Sequence, residues 1–182
     1  DKALVKQFCH AFVQLEEKIG CFFIQLPPYF KFENLTFLDN FLKFWPDELP
    51  LAVEQRNLEI NSDQDKFEQY IDILHRNNCY PVITDVAGRR DMMNLVLNEE
   101  KLFIRWVGND LHQSDFDRIN SWILRMIDWS KRGLKSVYLM LHEPDNLYPP
   151  KIASYIEEQL VNNQYIRYRG PKFIKEPPQL FS

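Results

Sequence analysis

Five short apolar runs, each closed by a polar or charged residue, constrain this chain more than any other feature in it. IQLPP carries Gln25, AVEQR carries Glu54 and Arg56, ITDVAG carries Asp85, FIRWVG carries Arg105, and YLMLHEPD carries His142. The four intervals between the runs carry helix signals, so strand and helix alternate. Repeated β/α alternation favours a parallel sheet with helices packed against it. If such a sheet closes into a barrel, side chains at the C-terminal strand ends converge on one functional face. The expectation is an α/β protein with one domain over residues 1–182 and a candidate site at the five strand tips.

Residues 2–18 place Leu4, Val5, Phe8, Cys9, Phe12 and Leu15 at three- and four-residue spacing, which predicts an amphipathic helix that Gly20 can end. CFFIQL follows as a strand. Pro27 and Pro28 have no backbone N–H, so the chain must leave the sheet directly after Gln25 and Leu26. Further helices are predicted over 34–44, closed by Pro46, and over 63–77 with Ser62 as cap. Another runs from a Ser114/Asp117 capping box to near Gly133, and a last one covers 150–162. Residues 163–182, with Pro171, Pro177 and Pro178, read as an extended tail.

Composition removes several classes of function. With 182 residues and 45% hydrophobic content the chain can bury one sizeable core. Its net charge of −4 gives no global basic field, which disfavours nucleic acid as a partner. Cys9, Cys21 and Cys79 have neither zinc nor disulfide spacing, so reduced buried thiols are expected. No apolar stretch approaches the roughly 20 residues of a membrane helix, and no charged-then-apolar leader is present. A cytoplasmic protein without membrane contact is expected. With five glycines and no Gly-rich phosphate loop, dinucleotide and P-loop readings are excluded, and no cofactor is expected.

The ordered succession QLPP, AVEQR, ITDVAG, FIRWVG and SVYLMLHEPD over about residues 4–162 resembles the domain of unknown function 72 family, the YecE-like proteins. That resemblance implies a TIM-type (β/α)8 barrel without an established activity. Family members begin with three further strands, whereas this chain opens in the helix before the QLPP strand. It therefore looks like a barrel lacking the first three β/α units. Either upstream residues complete it or a second copy closes the sheet, because open strand edges invite self-association. At the fifth tip many members carry an F-N-N-type sequence, while this chain has Leu141, His142 and Glu143; Asp145 aligns with the family's acidic position.

The proposed pocket collects Gln25, Glu54, Arg56, Asp85, Arg105 and His142. Glu54 and Arg56, two apart, share a face. Arginine offers a planar fork for carboxylate or phosphate, so Arg56 and Arg105 are read as anion ligands and Gln25 as a hydroxyl-orienting group. Glu54, Asp85 and His142 are the candidate proton-transfer groups. Arg89 and Arg90, in the irregular connection over 86–100, could clamp an anion at the pocket mouth. His112 stands before a helix N-terminus. No metal site is expected, because two arginines beside the acids would repel a divalent cation. The same charges could also simply pair with one another. The leading expectation is an enzyme acting on a small polar anionic metabolite. A non-catalytic ligand-binding or sensor module and a phosphodiester-processing protein are the alternatives.

Overall fold

A computed structural model describes residues 2–12, 15, 18–89, 93, 95–96 and 100–171. Its elements are α1 (Lys2–Phe12), β1 (Phe22–Gln25), α2 (Leu35–Leu42), β2 (Leu51–Glu54), α3 (Leu58–Ser62), α4 (Gln64–Arg76), β3 (Tyr80–Val86), β4 (Lys101–Val107), α5 (Gln113–Lys131), β5 (Ser136–His142) and α6 (Pro149–Leu160). The five strands form one sheet in the order β1-β2-β3-β4-β5, and the ladders from β1 to β4 are parallel. Consecutive parallel order is that of an arc of a β/α barrel. The described chain divides into two compact units, one within residues 1–107 and 133–140 and the other within 108–132 and 141–182.

In the first unit the two sides of the sheet follow from period-two alternation. Ile24 and Val53 pack outward, in the cluster that contains Leu35, Leu38 and Leu42 of α2 and Tyr70, Ile71 and Leu74 of α4. Fully burying an aliphatic or aromatic side chain of this kind stabilises the fold by roughly 1.5–3 kcal/mol. Tyr70 keeps its polar end satisfied by donating from its hydroxyl to the Val53 carbonyl at 2.8 Å. On the opposite side, the rings of Phe23 (β1) and Phe103 (β4) stack at 5.5 Å, and Phe103 lies 6.0 Å from Tyr138 of β5. In a flat sheet β1 and β4 would stand roughly 14 Å apart, three strand spacings, so the sheet must curl toward this aromatic side. Tyr138 also donates its hydroxyl to the Gly20 carbonyl at 3.0 Å, and a Cβ at Gly20 would come within 2.7 Å of that ring.

The second unit is built on α5 and α6. Phe116 and Tyr155 meet edge to face at 5.0 Å, and Tyr155 donates to Asn120 at 2.9 Å. Gly108–His112 turns sharply, with Asp110 and Leu111 in the left-handed region at φ 55° and 61°. Side chains hold that turn: Asp115 accepts from the Asn109 N–H at 2.8 Å, and Glu143 accepts from the Asp110 N–H at 2.9 Å.

Several local expectations need correction. Asp63, not Ser62, caps α4, with its carboxylate accepting from Lys66 N at 3.1 Å; Ser62 ends α3, a short helix not expected from the sequence. α5 is capped by the His112 ring, which accepts from Ser114 N, while Ser114 and Asp117 lie inside the helix. α5 therefore begins at Gln113, one residue ahead of Ser114. α1 spans Lys2–Phe12, with Leu4 exposed and Phe8 half-buried against Phe12, Phe22 and Trp45; of its expected continuation to residue 18, residues 13, 14, 16 and 17 lie outside the described residues. Residues 172–182 of the expected tail lie outside the described residues. No helix among the described residues is long and apolar enough to cross a membrane.

Candidate functional site

The parallel register places the site residues in one layer. Gln25 pairs with Glu54 across β1 and β2, and Thr84 pairs with Arg105 across β3 and β4. Two residues below them on the same face stand Phe23, Ala52, Val82 and Phe103. A polar layer at the C-terminal strand ends therefore rests on a largely apolar one.

Glu54 is the hub of that layer. It has no accessible surface, and a buried carboxylate is tolerated only if it is paired and hydrogen-bonded. Its Oε2 accepts from Gln25 Nε2 at 2.5 Å. Its Oε1 accepts from the Thr84 hydroxyl at 2.7 Å and from Arg105 Nη1 at 3.3 Å. Gln25 Oε1 in turn accepts from Arg56 Nη1 at 3.3 Å, so the chain of contacts runs from Arg56 through Gln25 and Glu54 to Arg105. On the helix-packed side of β2, burial pushes the Tyr70 hydroxyl well above its usual range, with the Glu54 charge and then Cys79 adding to the effect.

A cleft of about 550 Å³ opens over this layer. Glu54 and Thr84 form part of its lining together with Arg56, Arg89 and Arg105. Asn57 at the rim is immobilised: its Oδ1 accepts from the N–H groups of Glu59 and Ile60, and its Nδ2 donates to the Pro28 carbonyl at 3.0 Å. Glu59 also lines the cleft and is ion-paired with Lys66. Among the described residues, three guanidinium groups and two carboxylates line this cleft.

Of the residues singled out by sequence, Gln25, Glu54, Arg56 and Arg105 belong to one hydrogen-bonded set, and Arg89 joins the cleft lining. Asp85 is not brought there. It is buried, and alternation turns it to the sheet face opposite its neighbour Thr84. His142 ends β5 in the second unit, where its carbonyl accepts from Gly108 N at 2.9 Å. Arg90 lies outside the described residues. Thr84 and Asn57 were not expected from the sequence. A helix-capping signal at Asn57 was available in the Asn-Leu-Glu pattern, whereas Thr84 needed the strand register. Among the described residues no group of three or more His, Cys, Asp or Glu side chains is arranged to hold a metal ion.

Comparison with known proteins adds a family and a fold. The family model for "Protein of unknown function DUF72" matches residues 1–175. The UPF0759 protein YecE of Escherichia coli O157:H7 and that of Escherichia coli strain K12 are each 26% identical over 175 residues, covering 86% of this chain and 64% of theirs. The chain thus spans a little under two thirds of the length of these curated relatives. Two crystal structures of a DUF72 family protein from Enterococcus faecalis V583 match with TM-scores of 0.69 and 0.68 at 18% identity. They cover 86% and 96% of this chain, and 68% and 70% of theirs. At that identity the likeness is one of fold.

Proposed function

The chain belongs to the DUF72 family of proteins of unknown function, and on that premise we propose that its cleft binds a small anionic metabolite. In this reading the sheet is an arc of a TIM-type (β/α)8 barrel, and the cleft occupies the C-terminal strand ends where such barrels keep their sites. The observation that carries it is the convergence of Arg56, Arg89 and Arg105, from the β2, β3 and β4 ends, over one buried carboxylate. Among the described residues Arg105 uses one N–H on Glu54 and Arg56 uses one on Gln25, which leaves each fork with donors for a carboxylate or phosphate.

Burial favours the non-catalytic form of this reading, a ligand-binding module. Glu54 has no accessible surface and accepts three hydrogen bonds, which suits it to holding Gln25 and Arg105 rather than to exchanging protons with a ligand. Asp85 faces away from the cleft. An enzymatic role would instead draw its proton-transfer group from elsewhere.

Thermal-shift titration with inorganic phosphate and with acetate tests the proposal. Saturable stabilisation by either anion is expected in the wild type and at least about tenfold weaker apparent affinity in Arg56→Ala. Arg56 is half-buried and donates only to Gln25 among the described residues, so the variant is expected to keep its fold. No stabilisation by either anion, or equal stabilisation of both proteins, overturns the reading.

A further inference from the structure

The walls of the cleft carry a second chemistry beside its guanidinium groups. Pro28 just after β1, Leu58 at the first position of α3, and Val86 at the end of β3 reach it from three separate segments. Leu58 is 49% exposed, although Ile60 two residues on is fully buried. Its position is set by the Asn57 cap, which fixes the first turn of the helix. An aliphatic side chain held open at a cleft wall, with two further apolar groups lining the same space, is surface that a ligand can remove from water. The volume of about 550 Å³ falls in the range of organic-ligand sites and far exceeds what phosphate or acetate fills.

The polar groups of this wall point the same way, because they are already committed. Asn57 uses its side chain at both ends, Glu59 pairs with Lys66, and the Thr84 hydroxyl donates to Glu54. A polyhydroxylated body would surrender its hydrogen bonds to water here and find few replacements. Resting on the anion-binding reading above, we infer that the ligand is an amphipathic organic anion. Its carboxylate or phosphate head pairs with Arg56 and Arg105, and its apolar body, aromatic or aliphatic, lies against Leu58, Pro28 and Val86.

Isothermal titration of the 182-residue chain with phenyl phosphate and with glycerol 1-phosphate tests this, since the two probes share a head and differ in the body. Phenyl phosphate binds at least about tenfold more tightly in the wild type, and Leu58→Asn draws the ratio of the two affinities toward one. Equal affinities, or a preference for glycerol 1-phosphate, with both weakened by Arg56→Ala, overturn the amphipathic ligand and leave the anion site standing. A wild-type preference that Leu58→Asn does not reduce overturns it as well. Failure of both probes to bind, or indifference of both to Arg56→Ala, overturns the anion site and this inference together.

Discussion

Gln25 and Glu54 are register partners at the ends of β1 and β2, and the Gln25 amide nitrogen donates to the Glu54 carboxylate at 2.5 Å. The other end of the same amide accepts from Arg56. Rotating the amide by half a turn would lose both contacts and set its oxygen against the carboxylate. Gln25 therefore carries the fixed orientation of a buried acid out to a guanidinium at the cleft surface.

Replacing Gln25 by Glu tests that link. Two carboxylates at this separation cannot both ionise without a large repulsion, so the pair retains a proton to a higher pH than either acid does in the unfolded chain. A raised folded-state pKa makes stability fall as pH rises. Gln25→Glu is expected to be about 1–2 kcal/mol less stable than wild type near pH 8, with the deficit shrinking toward pH 5. Urea denaturation at the two pH values measures it.

Arg105 is the cation that compensates Glu54, at 3.3 Å with 19% of its side chain exposed. Arg105→Met leaves a fully buried carboxylate without its charge partner, which costs about 3–5 kcal/mol. Glu54→Gln in the same background removes the uncompensated charge while keeping an acceptor for Thr84. The double variant is expected to lose at least about 1 kcal/mol less than the sum of the single losses. Additive losses in chemical denaturation would show that the two side chains do not act as a pair.

The strand tips were legible because each carries a polar residue at the end of an apolar run, where period and polarity change together. Gln25, Glu54, Arg56 and Arg105 stand out on those grounds. What the pattern could not supply was register. Thr84 and Asp85 are adjacent in β3, and a one-residue choice decides which of them meets Glu54. A polarity-based reading selects the charged residue, whereas pairing of Thr84 with Arg105 turns Asp85 to the other face. The caps failed for a related reason. Ser62 and Asp63 are both good N-caps in sequence, and only the unexpected helix ending at Ser62 leaves the role to Asp63. Leu58 reads in sequence as one more apolar position, and its exposure follows from the turn that Asn57 makes.

Asp39 of α2 sits almost buried among Lys43, Arg76 and Asn77, accepting at 2.8, 3.0 and 2.9 Å. Its bond from Lys43, followed by that from Arg76, holds the carboxyl well below the usual aspartate range. A depressed folded-state pKa contributes stability that is complete above the unfolded value of about 3.9 and is lost as pH falls below it. Lys43 and Arg76 are about half exposed, so solvent screens the pair. Asp39→Asn is therefore expected to cost about 1–2 kcal/mol near neutral pH, and the difference from wild type should vanish in strong acid. Thermal denaturation across the acid range checks both the size and the sign.

Glu143 in the second unit has the opposite sign. It is buried, its Oε2 accepts from Asp110 N at 2.9 Å, and its Oε1 has no hydrogen-bond partner among the described residues. Burial, then the charge of Asp115, pushes its carboxyl above the usual glutamate range, while the backbone bond to Asp110 works the other way. An acid with a raised folded-state pKa loses stability as pH climbs from its unfolded toward its folded value. Glu143→Gln cannot ionise, so it should lose less stability than wild type over that interval when both are denatured with urea at matched pH values. Space at the carboxylate matters as much as charge, because a Cβ at Gly108 would fall within the Glu143 carboxylate group. Gly108→Ala is expected to cost about 1–3 kcal/mol by overpacking. Shortening the acid in Gly108→Ala/Glu143→Asp makes room for the methyl group, so Gly108→Ala should cost less in the Glu143→Asp background than in wild type. Equal cost of Gly108→Ala in both backgrounds would mean that the carboxylate yields freely and does not brace the left-handed turn at Asp110 and Leu111.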